Sequence, residues 1–134
     1  MTASRSLPPT MHAARVAAHG GVEAVAWCEV DRPQPGPGEV LVELRTAGVN
    51  HLDLWVRRGV PGHSFPLPLT LGSDGAGTVA AHGPGTEAMA VGTDVIISPG
   101  VADATSREAL AGNDHLARDY QILGEGRFPR SQIS

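Results

Sequence analysis

A chain of 134 residues with 41% hydrophobic side chains holds material for one modest core and excludes a two-domain enzyme. Its formal net charge is −4, it has no lysine, and its arginines never form a dense run, which makes nucleic acid a poor partner. With 17 glycines, 11 prolines and only 18% charged residues, short strands joined by many turns are favoured over long helices or a disordered polymer.

Residues 1–10 read as a flexible N-terminal extension without the apolar segment of a secretory signal, and Met11 offers an alternative start. Neither export nor a membrane is expected, and Cys28, the only cysteine, excludes an intrachain disulfide and fits a reducing, cytoplasmic setting. The domain proper is expected over 11–125, followed by an irregular tail over 126–134.

The apolar stretch from His12 to Ala18 opens the first strand, and a second is expected around Ala24 to Val30. The segment Arg32-Pro33-Gln34-Pro35-Gly36-Pro37-Gly38 cannot donate a regular ladder and reads as a turn-rich connector. From Glu39 to Arg45 the side chains alternate, with Val40, Val42 and Leu44 on one face and Glu39, Glu43 and Arg45 on the other; this is the clearest strand. Asn50 is suited to cap a helix of about two turns, with Leu52, Trp55 and Val56 at i, i+3 and i+4 and Gly59 as its left-handed stop. In that helix Trp55 faces inward and Arg57 and Arg58 outward. After an extended Phe65–Leu69 segment, Gly77–Ala81 and Val95–Ile97 read as strands separated by the turn-rich His82-Gly83-Pro84-Gly85.

The six histidines, His12, His19, His51, His63, His82 and His115, form no i, i+4 pair, so no histidine metal cluster is expected. In Gly72-Ser73-Asp74-Gly75-Ala76-Gly77 the glycines are in the wrong order for a dinucleotide loop and strand residues follow, which indicates a close strand approach. Ser73 lacks the Gly-x-Ser-x-Gly elbow of a hydrolase.

Taken in order, Arg32-Pro33, Gly36-Pro37-Gly38-Glu39-Val40, Gly48-Val49-Asn50 with Asp53, Leu71-Gly72, Ala76-Gly77-Thr78-Val79, Gly83-Pro84-Gly85 and Val91-Gly92 resemble the N-terminal GroES-like domain of medium-chain dehydrogenases/reductases. The resemblance implies a mainly β fold, a partly open barrel with one or two short helices. In the zinc members a cysteine in Gly-x-Cys-Gly-x-Asp and a histidine in Gly-His-Glu hold catalytic zinc. Here Asn50 and Ser73 stand at those positions, His51 replaces the glycine, and Asp74 is the one carboxylate left. An amide and a hydroxyl are poor zinc ligands. The structural-zinc lobe of the family carries four cysteines spaced Cys-x2-Cys-x2-Cys-x7-Cys between Pro-Gly and Tyr-x-Ile-Leu-Gly-Glu. Laid between Pro99-Gly100 and Tyr120-Gln121-Ile122-Leu123-Gly124-Glu125, that spacing puts the ligand positions on Asp103, Ser106, Ala109 and Ala117. No zinc is expected at either place, and the lobe should become a loop over 101–119, more mobile than in zinc-bearing relatives and partly helical near Ser106 to Ala111.

Gly48-Val49-Asn50-His51-Leu52-Asp53 is similar to the Gly-Val-Asn-x-x-Asp of zinc-free quinone reductases. The resemblance implies an oxidoreductase that moves hydride from NAD(P)H to a small-molecule carbonyl or quinone, with Asn50 and Asp53 as inherited catalytic positions and Asn50 and His51 on the nicotinamide-facing wall. Against it stands a purely structural reading, in which Asn50 caps the helix and Asp53 stabilises its first turn. Relatives bind the cofactor on a following Rossmann domain, whereas this sequence reaches Ser134 without one. A truncated, inactive substrate-side domain is therefore expected, pairing as a homodimer or with a separately encoded Rossmann-domain chain. The alternative is a non-catalytic domain that works through association alone.

Overall fold

The computed structural model describes residues 6–125; the tail expected over 126–134 and the first five residues lie outside them. Strand β1 (Thr10–Val16) pairs antiparallel with β2 (Val25–Asp31) in an unbroken register from Thr10↔Asp31 to Val16↔Val25. The described part of the N-terminal extension is tied down, because Arg32 donates its Nε to the Pro8 carbonyl at 2.7 Å and its backbone N–H to the Pro9 carbonyl at 2.8 Å.

Strand β3 (Val40–Ala47) leads into helix α1 (His51–Arg58), and two-residue β4 (Leu69–Thr70) follows before β5 (Gly75–His82) and β6 (Asp94–Ile97). Two three-stranded sheets result, in the orders β2-β1-β4 and β3-β5-β6. A hairpin of β7 (Gly100–Val101) and β8 (Gln121–Ile122) encloses short helix α2 (Arg107–Leu110) and a 3-10 turn at Asp114–Leu116. The fold is mainly β, and its sheets do not close on one another. Val16, Val56 and Val79, from β1, α1 and β5, are fully buried, so both sheets and the helix contribute to the interior.

Two expectations need correction. The register of β3 against β5 shifts between Leu41 and Val42 and again between Leu44 and Thr46. Leu41, on the face assigned to Glu39 and Glu43, is buried, while Val40, Val42 and Leu44 are only half-buried. A bulge bends and twists its strand, so the simple alternation of Glu39 to Arg45 does not map onto one covered face. In α1, Trp55 is 54% exposed and Arg57 only 8%, the reverse of the sequence expectation. The inward face is Asp53, Val56 and Arg57, at i, i+3 and i+4, because hydrogen bonds of Asp53 fix how the helix is rotated about its axis.

The end of α1 is closed from outside the helix. His19 Nδ1 meets the Val56 carbonyl at 2.8 Å, the Gly20 N–H reaches the Arg57 carbonyl at 3.0 Å, and Gly59, at φ 79°, donates to the Trp55 carbonyl at 2.8 Å. These bonds satisfy carbonyls that a helix end leaves without partners.

Candidate functional site

The N-terminus of α1 sits against the Leu71–Asp74 segment, which brings together Asn50, Asp53, Ser73 and Asp74. Asn50 has extended backbone angles (φ −116°, ψ 164°) and holds the N-cap position. The Asp53 side chain accepts two backbone N–H groups, from Asn50 into Oδ2 and from Gly72 into Oδ1, both at 2.8 Å. One buried carboxyl group therefore closes the first turn of the helix and fastens that turn to the next segment. The Asn50 side-chain amide donates to Asp74 Oδ1 at 3.2 Å, and the Gly48 N–H donates to the Asp74 carbonyl at 3.2 Å.

Two glycines let these segments touch. A Cβ on Gly48 would overlap Asp74 Oδ1, and one on Gly124, whose φ is 82°, would overlap the Gly72 carbonyl oxygen. The arrival of Gly124 was not anticipated from sequence, although its place in the Tyr120–Glu125 motif was a signal. His51 does not join the cluster. It lies exposed on the outer face of α1, its ring 6.4 Å from that of Trp55.

The residues present do not fit catalytic zinc. Ser73, at the histidine position, is 4% exposed with its Oγ enclosed and unpartnered, and a neutral hydroxyl is a weak zinc ligand. Asn50 is engaged with Asp74, and among the described residues no group of three or more His, Cys, Asp or Glu comes together that could hold a metal. Replacing Ser73 by Ala removes a hydroxyl that makes no bond, and denaturant unfolding should show it neutral or stabilising by up to about 1 kcal/mol. A loss larger than about 1 kcal/mol would reveal a hydrogen bond absent from this structure.

In the loop between β7 and β8, Asp103 and Ser106 are both engaged in hydrogen bonds. Asp103 Oδ1 accepts the Thr105 N–H at 2.8 Å and its hydroxyl at 2.7 Å, the Asp103 N–H donates to Asp119 Oδ2 at 2.7 Å, and the Ser106 N–H donates to the Asp103 carbonyl at 2.9 Å. Ser106 Oγ accepts the Ala109 N–H at 3.1 Å as the N-cap of α2, the helical turn expected near Ser106 to Ala111. Ala117 is buried.

The Thr105 hydroxyl, and then its N–H, hold the Asp103 carboxyl below the usual carboxylate range. A group whose folded value is depressed stabilises above its unfolded value and loses that contribution as pH falls through the folded one. The Thr105 amide resonance should therefore shift, and its neighbours lose exchange protection, only below about pH 4. Asp103→Asn should abolish that acid step, and an unchanged step would contradict the assignment.

The alcohol dehydrogenase GroES-like domain model matches residues 36–131. A quinone oxidoreductase from Lama guanicoe is 33% identical over 121 residues, covering 90% of this chain and 36% of that protein. A quinone oxidoreductase from Pseudomonas aeruginosa is 39% identical over 103 residues, covering 75% and 30%. The crystal structure of an NAD-dependent alcohol dehydrogenase superposes with a TM-score of 0.81 at 48% identity, over 87% of this chain and 34% of that one. The chain thus spans about a third of the length of these relatives.

Proposed function

The chain belongs to the alcohol dehydrogenase GroES-like domain family, among the medium-chain dehydrogenases/reductases, and from that premise we propose that it is the substrate-side domain of a zinc-independent, NAD(P)H-dependent oxidoreductase acting on a small carbonyl or quinone. One observation carries the reading. Where zinc relatives carry a thiolate and an imidazole, Asn50 donates to Asp74 and Ser73 is enclosed, so those two positions hold a neutral amide and a neutral hydroxyl in place of metal ligands. The similarity to quinone oxidoreductases and to an NAD-dependent alcohol dehydrogenase supports the reaction class.

The nicotinamide, when bound, supplies the hydride. The contribution of this chain is one wall of the cleft. Asn50, exposed and anchored at its backbone by Asp53, offers an amide to a carbonyl oxygen. His51 and Trp55 offer exposed ring faces beside it. Asp53, buried and fully engaged with backbone, is a positioning residue that holds Asn50 and does not touch substrate.

As an isolated polypeptide this domain is inactive and binds NADPH at millimolar strength or not at all. A Rossmann-domain polypeptide, joined or supplied as a separate chain, restores binding. Fluorescence titration of NADPH with the purified chain, alone and with such a polypeptide, tests this, and tight binding by the chain alone would overturn it. Metal analysis after dialysis should find well below one zinc per chain; stoichiometric zinc would refute zinc independence. No helix among the described residues is long and apolar enough to cross a membrane, and a cytoplasmic location belongs to the same proposal.

A further inference from the structure

Strand β6 is an edge: it pairs with β5 from Gly75↔Ile97 to Thr78↔Asp94 and, among the described residues, has no strand on its other side. Natural edges are guarded by lysine, proline, bulges or inward charges. The sequence Asp94-Val95-Ile96-Ile97 carries none of these within its apolar part, and its register against β5 is unbroken. Ile96 is 86% exposed on the outer face, whereas Val95 and Ile97, pointing the other way, are half-buried. Beside Ile96 the sheet surface is low, because Ala76 and Gly77 occupy β5, and over them Arg45 reaches Asp94 at 3.7 Å.

We infer that the outer edge of β6 is a self-association surface, which pairs antiparallel with the same edge of a second copy about a two-fold axis near Ile96. The pattern of the strand suits that one occupant. Side chains alternate across a strand, so centring the pair on Ile96 sets it against the second copy's Ile96, covering both exposed β-branched side chains. Val95 then faces the second copy's Ile97 on the inner side, and both extend the half-buried layer. Asp94 falls opposite the second copy's Ser98, a hydroxyl donor that is exposed in the single chain. The two Asp94 carboxyl groups end about 14 Å apart, each beside its own Arg45. A parallel pairing would set them side by side, so charge selects the antiparallel arrangement. An isologous contact of this kind closes at the dimer and leaves no free β6 edge for further growth.

The strand is only four residues long, so the contact buries well under the ~1,600 Å² of a standard stable interface, and a dissociation constant of about 10⁻⁴ M is expected. The inference goes beyond the oxidoreductase reading and makes no use of cofactor or metal, so either can fail without the other. Sedimentation velocity over about 10 μM to 1 mM should show the full chain passing from monomer to dimer. Ile96→Lys, at a position where the single chain leaves the side chain in solvent, should weaken association by at least about tenfold with an unchanged far-UV circular dichroism spectrum. Ile96→Val should retain it. In a mixed-label sample, intermolecular NOEs should connect the Val95–Ile97 segments. Monomer throughout the range, undiminished dimer in a folded Ile96→Lys variant, or intermolecular NOEs confined to another surface would each overturn the inference.

Discussion

Asp53→Ala should be the most damaging polar substitution in the domain, lowering the free energy of unfolding by about 3–4 kcal/mol. Asp53 is 6% exposed, and both of its oxygens accept backbone N–H groups, one at the start of α1 and one at Gly72. A hydrogen bond to a charged group is worth roughly 1.5–3 kcal/mol, and truncating the acceptor also strands the donors it served. The effect should be structural before it is functional, because one bond closes the first turn of α1 and the other ties that turn to the Leu71–Asp74 segment. Asp53→Asn retains one good acceptor and turns the other towards donation, so it should lose roughly half as much. Urea unfolding of the two variants gives the comparison. Equal, small losses of under about 1 kcal/mol would mean that the helix is held by Val56 and its neighbours alone.

The same residue explains how much of the site was legible in the sequence. Asn50, Asp53 and Gly59 carry local signals, since caps and left-handed stops depend on a few adjacent backbone angles, and α1 occupies the span they delimit. Which way the helix faces is not local. Leu52, Trp55 and Val56 gave a sound apolar stripe, yet Trp55 is outside and Arg57 inside, because Asp53 must point at Gly72 and the rest of the helix follows. The strand from Val40 was legible and its covered faces were not, since the register shifts arise from where β5 places its residues. In the loop between β7 and β8, the absence of cysteine was plain. The network of Asp103, Thr105, Ser106 and Asp119 depends on turn geometry that spacing does not encode.

Gly83→Ala should prevent folding or destabilise it by at least about 4 kcal/mol, although it adds a single methyl group in a turn. The connector Gly36–Glu39 is docked on the turn after β5. The Gly83 N–H donates to the Glu39 carbonyl at 2.8 Å, the Gly38 N–H to the Pro84 carbonyl at 2.9 Å, and the Thr86 hydroxyl contacts both the Glu39 and Gly83 carbonyls, at 3.2 and 2.8 Å. A Cβ on Gly83 would overlap the Gly36 carbonyl oxygen and press on that of Glu39. Both obstacles are backbone, so no side chain can swing aside. The Gly36 N–H is itself held by the Glu39 side chain at 2.8 Å, which removes the remaining freedom of the connector. Gly85→Ala, two residues on, separates this steric cause from the ordinary cost of losing glycine. Gly85 has φ 87° and nothing within 4 Å of its Cβ position, so only left-handed backbone strain of about 1–2 kcal/mol applies. Thermal unfolding should therefore find the Gly85 variant folded with a modestly lowered midpoint and the Gly83 variant without a cooperative transition. Similar midpoints for the two would show that the connector moves aside, and that the joining of the two proline-glycine motifs is looser than these hydrogen bonds require.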